Sequence, residues 1–280
     1  MSLPPPLRPR DLLSTHGLGP KKSFGQNFLH DLSVLETAVR AIGVKPGQPV
    51  LELGAGLGAL THALLSAGAE VIAIERDRDL VPILREHFGG VGTLSIREGD
   101  AGALNYRELS EEVGAALHVA GNLPYNLSSR ILVNLADAGD YVQRSVVMVQ
   151  REVAERLVAG PGSRIYGLLS VLVGRAFASR ILRVVPPGAF FPAPKVHSAL
   201  VLLERHPHRL PTEVQARLVR VARAAFSKRR KTIRNALKTG LNIESEALLA
   251  ALQAANIEAG ARAEELSIED FAHLGEALLG

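Results

Sequence analysis

Over its first two hundred residues the chain alternates short apolar runs with amphipathic stretches. Val50-Leu51-Glu52-Leu53, Val71-Ile72-Ala73-Ile74, Leu94-Ser95-Ile96, His118-Val119-Ala120 and Val146-Val147-Met148-Val149 predict strands, since a strand covered on both faces reads as a nearly unbroken run of branched apolar residues. Between them, segments such as 57–67 and 80–88 carry the pattern of helices. This βαβα rhythm predicts a mainly parallel, doubly wound sheet. Two further strands, 181–185 and 196–203, flank a proline-rich loop and are expected to pair closely and antiparallel. After Pro211 the pattern turns purely helical. Val214, Leu218, Val221 and Ala225 recur on one face while Arg217, Arg220 and Arg223 hold another arc. The expected organisation is a flexible leader over 1–20, an α/β domain over 21–207 and a small C-terminal helical domain over 208–280.

Composition narrows the class. The chain has 280 residues, 47% of them hydrophobic, enough for roughly two packed domains. With no cysteine and nine scattered histidines, neither a disulfide framework nor a metal site is expected. The first residues lack the apolar core of a signal peptide, and no apolar run is long enough to span a bilayer. A soluble, cytoplasmic protein without a membrane partner is the expectation. The net charge is a modest +4, yet its distribution is polarised. From Arg205 to Lys238 eleven Lys/Arg face one acid, Glu213, whereas from Thr239 onward eight acids face one base, Arg262. A net of +10 over these 34 residues points to a polyanion-facing surface rather than a merely solvated face.

The candidate chemistry collects where strands end. Glu52-Leu53-Gly54-Ala55-Gly56-Leu57-Gly58 follows a strand and opens a helix, so its backbone approaches a ligand closely and the helix start offers free N–H groups. Gly54, Gly56 and Ala59 also satisfy the relaxed dinucleotide fingerprint, and Glu75 stands where its ribose-binding acid belongs. A nicotinamide dehydrogenase is therefore an open alternative from this motif. Asp100 and Asn122 follow the next two strands, which gives three polar groups able to bracket one nucleoside-sized ligand. Asn122-Leu123-Pro124-Tyr125 offers an amide, a proline-stiffened turn and an aromatic ring, a set that can hold a flat base by its exocyclic amine. The plainer alternative is a strand-to-helix turn in which Asn122 caps the next helix.

Four stretches carry a resemblance: Lys21-Lys22-Ser23-Phe24-Gly25-Gln26-Asn27-Phe28-Leu29, the Glu52–Gly58 loop, Asn122-Leu123-Pro124-Tyr125, and Phe190-Phe191-Pro192-Ala193-Pro194-Lys195-Val196-His197-Ser198. In this order they resemble the motifs of ribosomal RNA adenine N6-dimethyltransferases. Phe226-Ser227-Lys228-Arg229-Arg230-Lys231-Thr232-Ile233-Arg234-Asn235-Ala236-Leu237 is similar to the KsgA-type, small-subunit branch. The resemblance implies a Rossmann-like methyltransferase sheet and S-adenosylmethionine as cofactor, held by Asn27, Leu29, Gly54, Glu75, Asp100 and Asn122. It further implies that a monomer gives two methyl groups to each of two adjacent adenosines near the 3′ end of 16S rRNA, in the 30S subunit or its precursor, in a step linked to ribosome biogenesis. Gly102 and His197 depart from the family's usual residues. An RNA-binding assembly factor without catalysis is a third reading, against which the intact motifs speak.

An adenine amine is a poor nucleophile because its lone pair is delocalised into the ring. A site that aligns it and stabilises the charge it gains needs acceptors rather than a strong base. The Asn122 side-chain oxygen and the Leu123 carbonyl are the expected acceptors, on a turn stiffened by Pro124. Tyr125 and Phe190 are expected to sandwich the flipped base, with Phe191 turned into the core. Arg217, Arg220, Arg223, Lys228, Arg229, Arg230, Lys231 and Arg234 are expected to meet RNA phosphates.

Overall fold

The computed structural model describes residues 3–5, 8–207, 210–228 and 230–280. Nine strands run in the order β1 (Phe28–Leu29), β2 (Pro49–Leu53), β3 (Glu70–Glu75), β4 (Leu94–Glu98), β5 (Leu117–Asn122), β6 (Val142–Gln150), β7 (Phe177–Val185), β8 (Phe190–Phe191) and β9 (Ser198–Arg205) among the described residues. Interspersed helices are α1 (Pro9–Thr15), α2 (Leu32–Ile42), α3 (Ala59–Ser66), α4 (Leu80–His87), α5 (Tyr106–Val113), α6 (Ser128–Asp137), α7 (Arg151–Val158) and α8 (Leu168–Gly174). The chain closes with α9 (Thr212–Phe226), α10 (Ile233–Leu241), α11 (Ser245–Ala254) and α12 (Ile268–Leu279).

Seven strands form one sheet in the order β4-β3-β2-β5-β6-β9-β7. Strands β2 to β6 are parallel to their neighbours, and β9 runs antiparallel to β6. The reversal at β2, from which the chain winds first to β3 and β4 and then back to β5, is the kind of switch point at which open α/β sheets bind ligands. Register sets the site's layer. Leu53 of β2 pairs with Ile74 and with Gly121, and Glu75 pairs with Glu98. The residues that follow, Gly54, Glu75, Asp100 and Asn122, therefore emerge along one edge. Gly121 is required there, because a Cβ on it would lie 2.7 Å from the Leu53 carbonyl oxygen.

The central strands are buried along nearly their whole length, which is why they read as apolar runs. Strand β6 is longer than its apolar run, because its first half includes Arg144, paired in register and by an ion pair with Glu204 of β9. The strands expected over 181–185 and 196–203 appear as β7 and β9, neighbours at the sheet's edge.

The chain divides into two compact units, one of 1–154 with 179–205 and one of 155–178 with 206–280. This differs from a single boundary near residue 207. Tyr166 and Val171 are buried in the same cluster as Leu218, Val221, Leu237, Leu252 and Phe271, so the segment between α7 and β7 belongs with the C-terminal helices. Such long-range burial leaves no mark on local periodicity. The expected leader also differs. Residues Pro9–Thr15 form α1, with proline where a missing N–H costs nothing. Leu13 of α1 is buried against a cluster of Phe28, Leu57, Leu80 and Ile83.

Candidate active site

A cleft of about 1150 Å³, including its open mouth, lies within the first unit at the carboxyl edge of the parallel strands. Asn27, Leu29, Gly54, Glu75, Asp100 and Asn122 all line it, as do Leu123, Pro124 and Tyr125. The sequence thus located nine of its candidates on one wall system.

Glu75 ends β3 with its carboxylate held at both oxygens. The Gly56 N–H donates to one at 2.7 Å and the Asp77 N–H to the other at 2.8 Å. Burial raises its pKa while those donors oppose the shift. A carboxylate oriented in this way keeps spare lone pairs for a pair of vicinal hydroxyls. Gly56 has a positive φ of 58°, and a Cβ there would lie 3.1 Å from the Phe28 ring, so the loop's closeness to its neighbours depends on glycine.

Asp100 is partly committed. One oxygen accepts from the Gly102 N–H at 2.8 Å, and the other lies 3.7 Å from Arg76 Nη1. The departure at Gly102 has a steric side: a Cβ there would lie 3.2 Å from the same Asp100 oxygen, while its carbonyl accepts from Asn134 Nδ2 at 2.7 Å. His197, the other departure, contributes its backbone carbonyl to the Arg151 N–H at 3.0 Å, a bond that any residue type can make.

Asn122 is the last residue of β5, and its Nδ2 donates to the Asn27 carbonyl at 2.7 Å. The side-chain oxygen is thereby turned away from that carbonyl and left as the acceptor. Helix α6 starts six residues later with Leu127 at its N-cap and no side-chain cap bond, so Asn122 does not cap it. The turn is closed by Leu127 N–H donating to the Pro124 carbonyl at 3.0 Å, and Leu123 N–H donates to the Met148 carbonyl at 3.1 Å. Tyr125 hydroxyl bonds the Ser198 hydroxyl at 2.6 Å, and burial raises its pKa, so it is a neutral phenol at physiological pH.

Phe190 is not on the cleft wall. The two-residue pairing of β1 with β8 sets Phe190 opposite Leu29 and Phe191 opposite Phe28. That register sends Phe190 into the core, 3% exposed, while Phe191 is the partly exposed ring. The expected alternation is right in period and opposite in phase, because the pairing with β1 decides which ring turns inward and lies outside any local pattern.

Several lining residues were not singled out by the sequence. Glu52 is 1% exposed at the inner end of the cleft, accepts from Thr61 Oγ1 at 2.6 Å, and is pushed up to about 8 by burial. Its place at the head of the glycine loop was the available signal. Gln26 donates through Nε2 to Asp77 at 2.6 Å, while Lys21 pairs with Asp77 and, at 2.6 Å, with Asp79. Those bonds attach the Lys21–Leu29 segment to the end of β3. The Phe24 ring lies between Lys21 Nζ and Arg76, 5.4 and 5.5 Å from its centroid. Two buried acidic side chains, Glu52 and Glu75, line the cleft, and burial keeps the Glu52 carboxyl neutral.

In the second unit, α9 buries Leu218, Val221, Ala222 and Ala225. Arg220, Arg223, Lys228, Arg230, Lys231 and Arg234 are exposed, and Arg217 is half-buried. Arg229 lies outside the described residues.

A buried carboxylate fixed at the end of β3 and an oriented amide followed by a tyrosine at the end of β5 are features compatible with the S-adenosylmethionine-dependent methyltransferases. Within that class the assignment is specific. The model of the family described as ribosomal RNA adenine dimethylase matches residues 18–278, and the chain belongs to this family. It is 45% identical over 278 residues to the ribosomal RNA small subunit methyltransferase A of Anaeromyxobacter dehalogenans, covering 96% of this chain and 97% of the relative. Among solved structures, a dimethyladenosine transferase from Plasmodium falciparum superposes with a TM-score of 0.73 at 25% identity, over 88% of this chain and 95% of the other. The 23S rRNA methyltransferase ErmE shares the fold with a TM-score of 0.68 at 24% identity, over 90% and 99%.

Proposed function

We propose that the protein dimethylates N6 of two adjacent adenosines near the 3′ end of 16S rRNA, acting as a monomer on the 30S subunit or its precursor in the cytoplasm. The observation that carries the reading is the orientation of Asn122, whose amide nitrogen is spent on Asn27 and whose oxygen is left to accept from an amine. S-adenosylmethionine supplies an electrophilic methyl when bound. The chain's own contribution is positioning. Glu75 takes the ribose hydroxyls, and Gly54 and Gly56 let the backbone approach. A remaining Asp100 lone pair would accept from the adenine amine of the cofactor, and Asn27 and Leu29 would close the cleft from the side of β1. The Asn122 oxygen and the Leu123 carbonyl would accept the two N6 hydrogens in the first transfer and the one that remains in the second, which raises electron density on the nitrogen and stabilises the charge it gains until one proton per transfer passes to solvent. Tyr125 forms one face of the base site.

Phosphate binding falls to the exposed bases of α9, α10 and the turn between them, Arg220, Arg223, Lys228, Arg230, Lys231 and Arg234, together with Arg217 and Arg229. Among the described residues no helix is long and apolar enough to cross a membrane. The relatives' name, ribosomal RNA small subunit methyltransferase A, supports this substrate over the 23S rRNA named for ErmE. The test is incubation with labelled S-adenosylmethionine and unmethylated small subunits, followed by nucleoside mapping. N6,N6-dimethyladenosine at two adjacent positions is expected. Label confined to large-subunit RNA would overturn the substrate, and absence of transfer would favour the assembly-factor reading.

A further inference from the structure

We infer that Ser198 is a positioning residue for methyl transfer, acting through the ring of Tyr125. The inference rests on the reading of Tyr125 as one face of the base site. Ser198 is wholly buried at the start of β9, in register with Gln150 of β6. Its neighbour His197 holds the Arg151 N–H through its backbone carbonyl at 3.0 Å, so the Ser198 hydroxyl has a fixed origin in the sheet. From there it meets the Tyr125 hydroxyl at 2.6 Å. The other end of the tyrosine is secured through its backbone, where Ser128 Oγ donates to the Tyr125 carbonyl at 3.1 Å.

A tyrosine on a short turn would otherwise swing about its χ1 bond. A hydrogen bond at the tip of the ring removes that freedom, and it does so from the strand on the far side of β6 rather than from the turn itself. The plane against which a flipped adenine stacks is thus set by the sheet. Stacking orients the amine relative to Asn122, and in-line transfer is steeply sensitive to that orientation. The proline-rich motif ending in Ser198 lies 73 residues from Tyr125, and this bond gives its serine a part in the chemistry.

The alternative is that the bond only satisfies two polar groups in a packed region. Four variants separate the readings: Tyr125→Ala, Tyr125→Phe, Ser198→Ala and Ser198→Thr, with Tyr125→Phe/Ser198→Ala as the double change. Each is assayed for single-turnover methylation at saturating RNA and cofactor, for KM toward small subunits, for S-adenosylmethionine affinity by calorimetry and for melting temperature. Tyr125→Phe and Ser198→Ala are each expected to lower the saturated rate about tenfold, and the double change about tenfold rather than a hundredfold, since all three remove the same constraint. Cofactor affinity should stay within about twofold, and Ser198→Thr, which keeps the hydroxyl, should recover most of the rate. If Tyr125→Ala is slow while Tyr125→Phe and folded Ser198→Ala run at the native rate, the inference is overturned and the base-site reading stands. If folded Tyr125→Ala itself runs at the native rate, both fail. Tyr125→Phe tests the bond from its half-buried side, so the inference remains decidable even where a change at buried Ser198 prevents folding.

Discussion

Glu52 offers a quantitative test of the cleft's electrostatics. Its carboxyl is 1% exposed, and burial pushes it from 4.5 to about 8, with Thr61 supplying a stabilising hydrogen bond and Glu75 a repulsive neighbouring charge. Between those two values the native state holds a proton that the unfolded chain has released. Stability is therefore full below about pH 4.5 and is lost as pH rises through about 8. The slope for one proton is about 1.4 kcal/mol per pH unit, so a window of about 3.5 units amounts to on the order of 5 kcal/mol. Glu52→Gln keeps an acceptor for Thr61 while remaining neutral, and so mimics the protonated acid at every pH. The variant and the parent should unfold at similar urea concentrations near pH 4.5, and the variant should become the more stable one by several kcal/mol at pH 8. The chain has no tryptophan, so circular dichroism is the suitable probe, read at pH 5, 6.5 and 8. Glu75 is raised by burial as well and is present in both proteins, but its repulsion of an ionised Glu52 acts in the parent alone and adds to the difference at high pH. A difference that stays constant with pH, or a parent that gains on the variant as pH rises, would refute the assignment of a protonated carboxyl to this position.

Three other changes test separate parts of the site. Glu75→Ala removes the acceptor fixed by Gly56 and Asp77 and should weaken S-adenosylmethionine binding by about 1.5–3 kcal/mol in calorimetry; an unchanged affinity would dismiss the ribose role, and tight NAD binding would restore the dehydrogenase. Asn122→Ala should lower the single-turnover rate by ~10²–10³ with little change in RNA affinity, and a near-native rate in the folded variant would remove Asn122 from the chemistry. Alanine at exposed Arg230 and Lys231 should reduce the log–log salt slope of subunit-RNA binding by roughly 0.7–0.9 for each phosphate no longer neutralised, whereas an unchanged slope would return these side chains to a solvated face.

How far the sequence could be read depended on how local the determining interactions are. The parallel core was legible because β2, β3 and β5 are covered on both faces, and burial of that kind writes itself as a contiguous apolar run. Glu75, Asp100 and Asn122 were legible as a set because parallel strands in register deliver their ends to one edge. Helix α1 was obscured by the prolines before it, and its one deeply buried apolar anchor, Leu13, gains meaning only from Phe28, Leu57 and Leu80. The phase of Phe190 and Phe191 depends on β1, more than 160 residues earlier in the sequence. The same holds for the 155–178 insertion, whose Tyr166 and Val171 pack with helices that follow residue 210.

The donor and acceptor geometry at Asn122 was also beyond local pattern, and it bears on why an amide stands there. The Asn27 carbonyl, 2.7 Å from Asn122 Nδ2, is an acceptor with no choice of role. Rotating the amide by half a turn would set oxygen against oxygen and leave both without a proton. Only one orientation is therefore stable, and in it the oxygen points away from the Asn27 carbonyl. An aspartate at 122 has the right shape but no hydrogen to give Asn27; it would meet that carbonyl with a full negative charge and loosen the join between the Lys21–Leu29 segment and the turn that follows β5. The fold thus demands a donor at 122, and the proposed acceptance from the target amine adds the demand for a neutral acceptor, which asparagine alone of the two supplies.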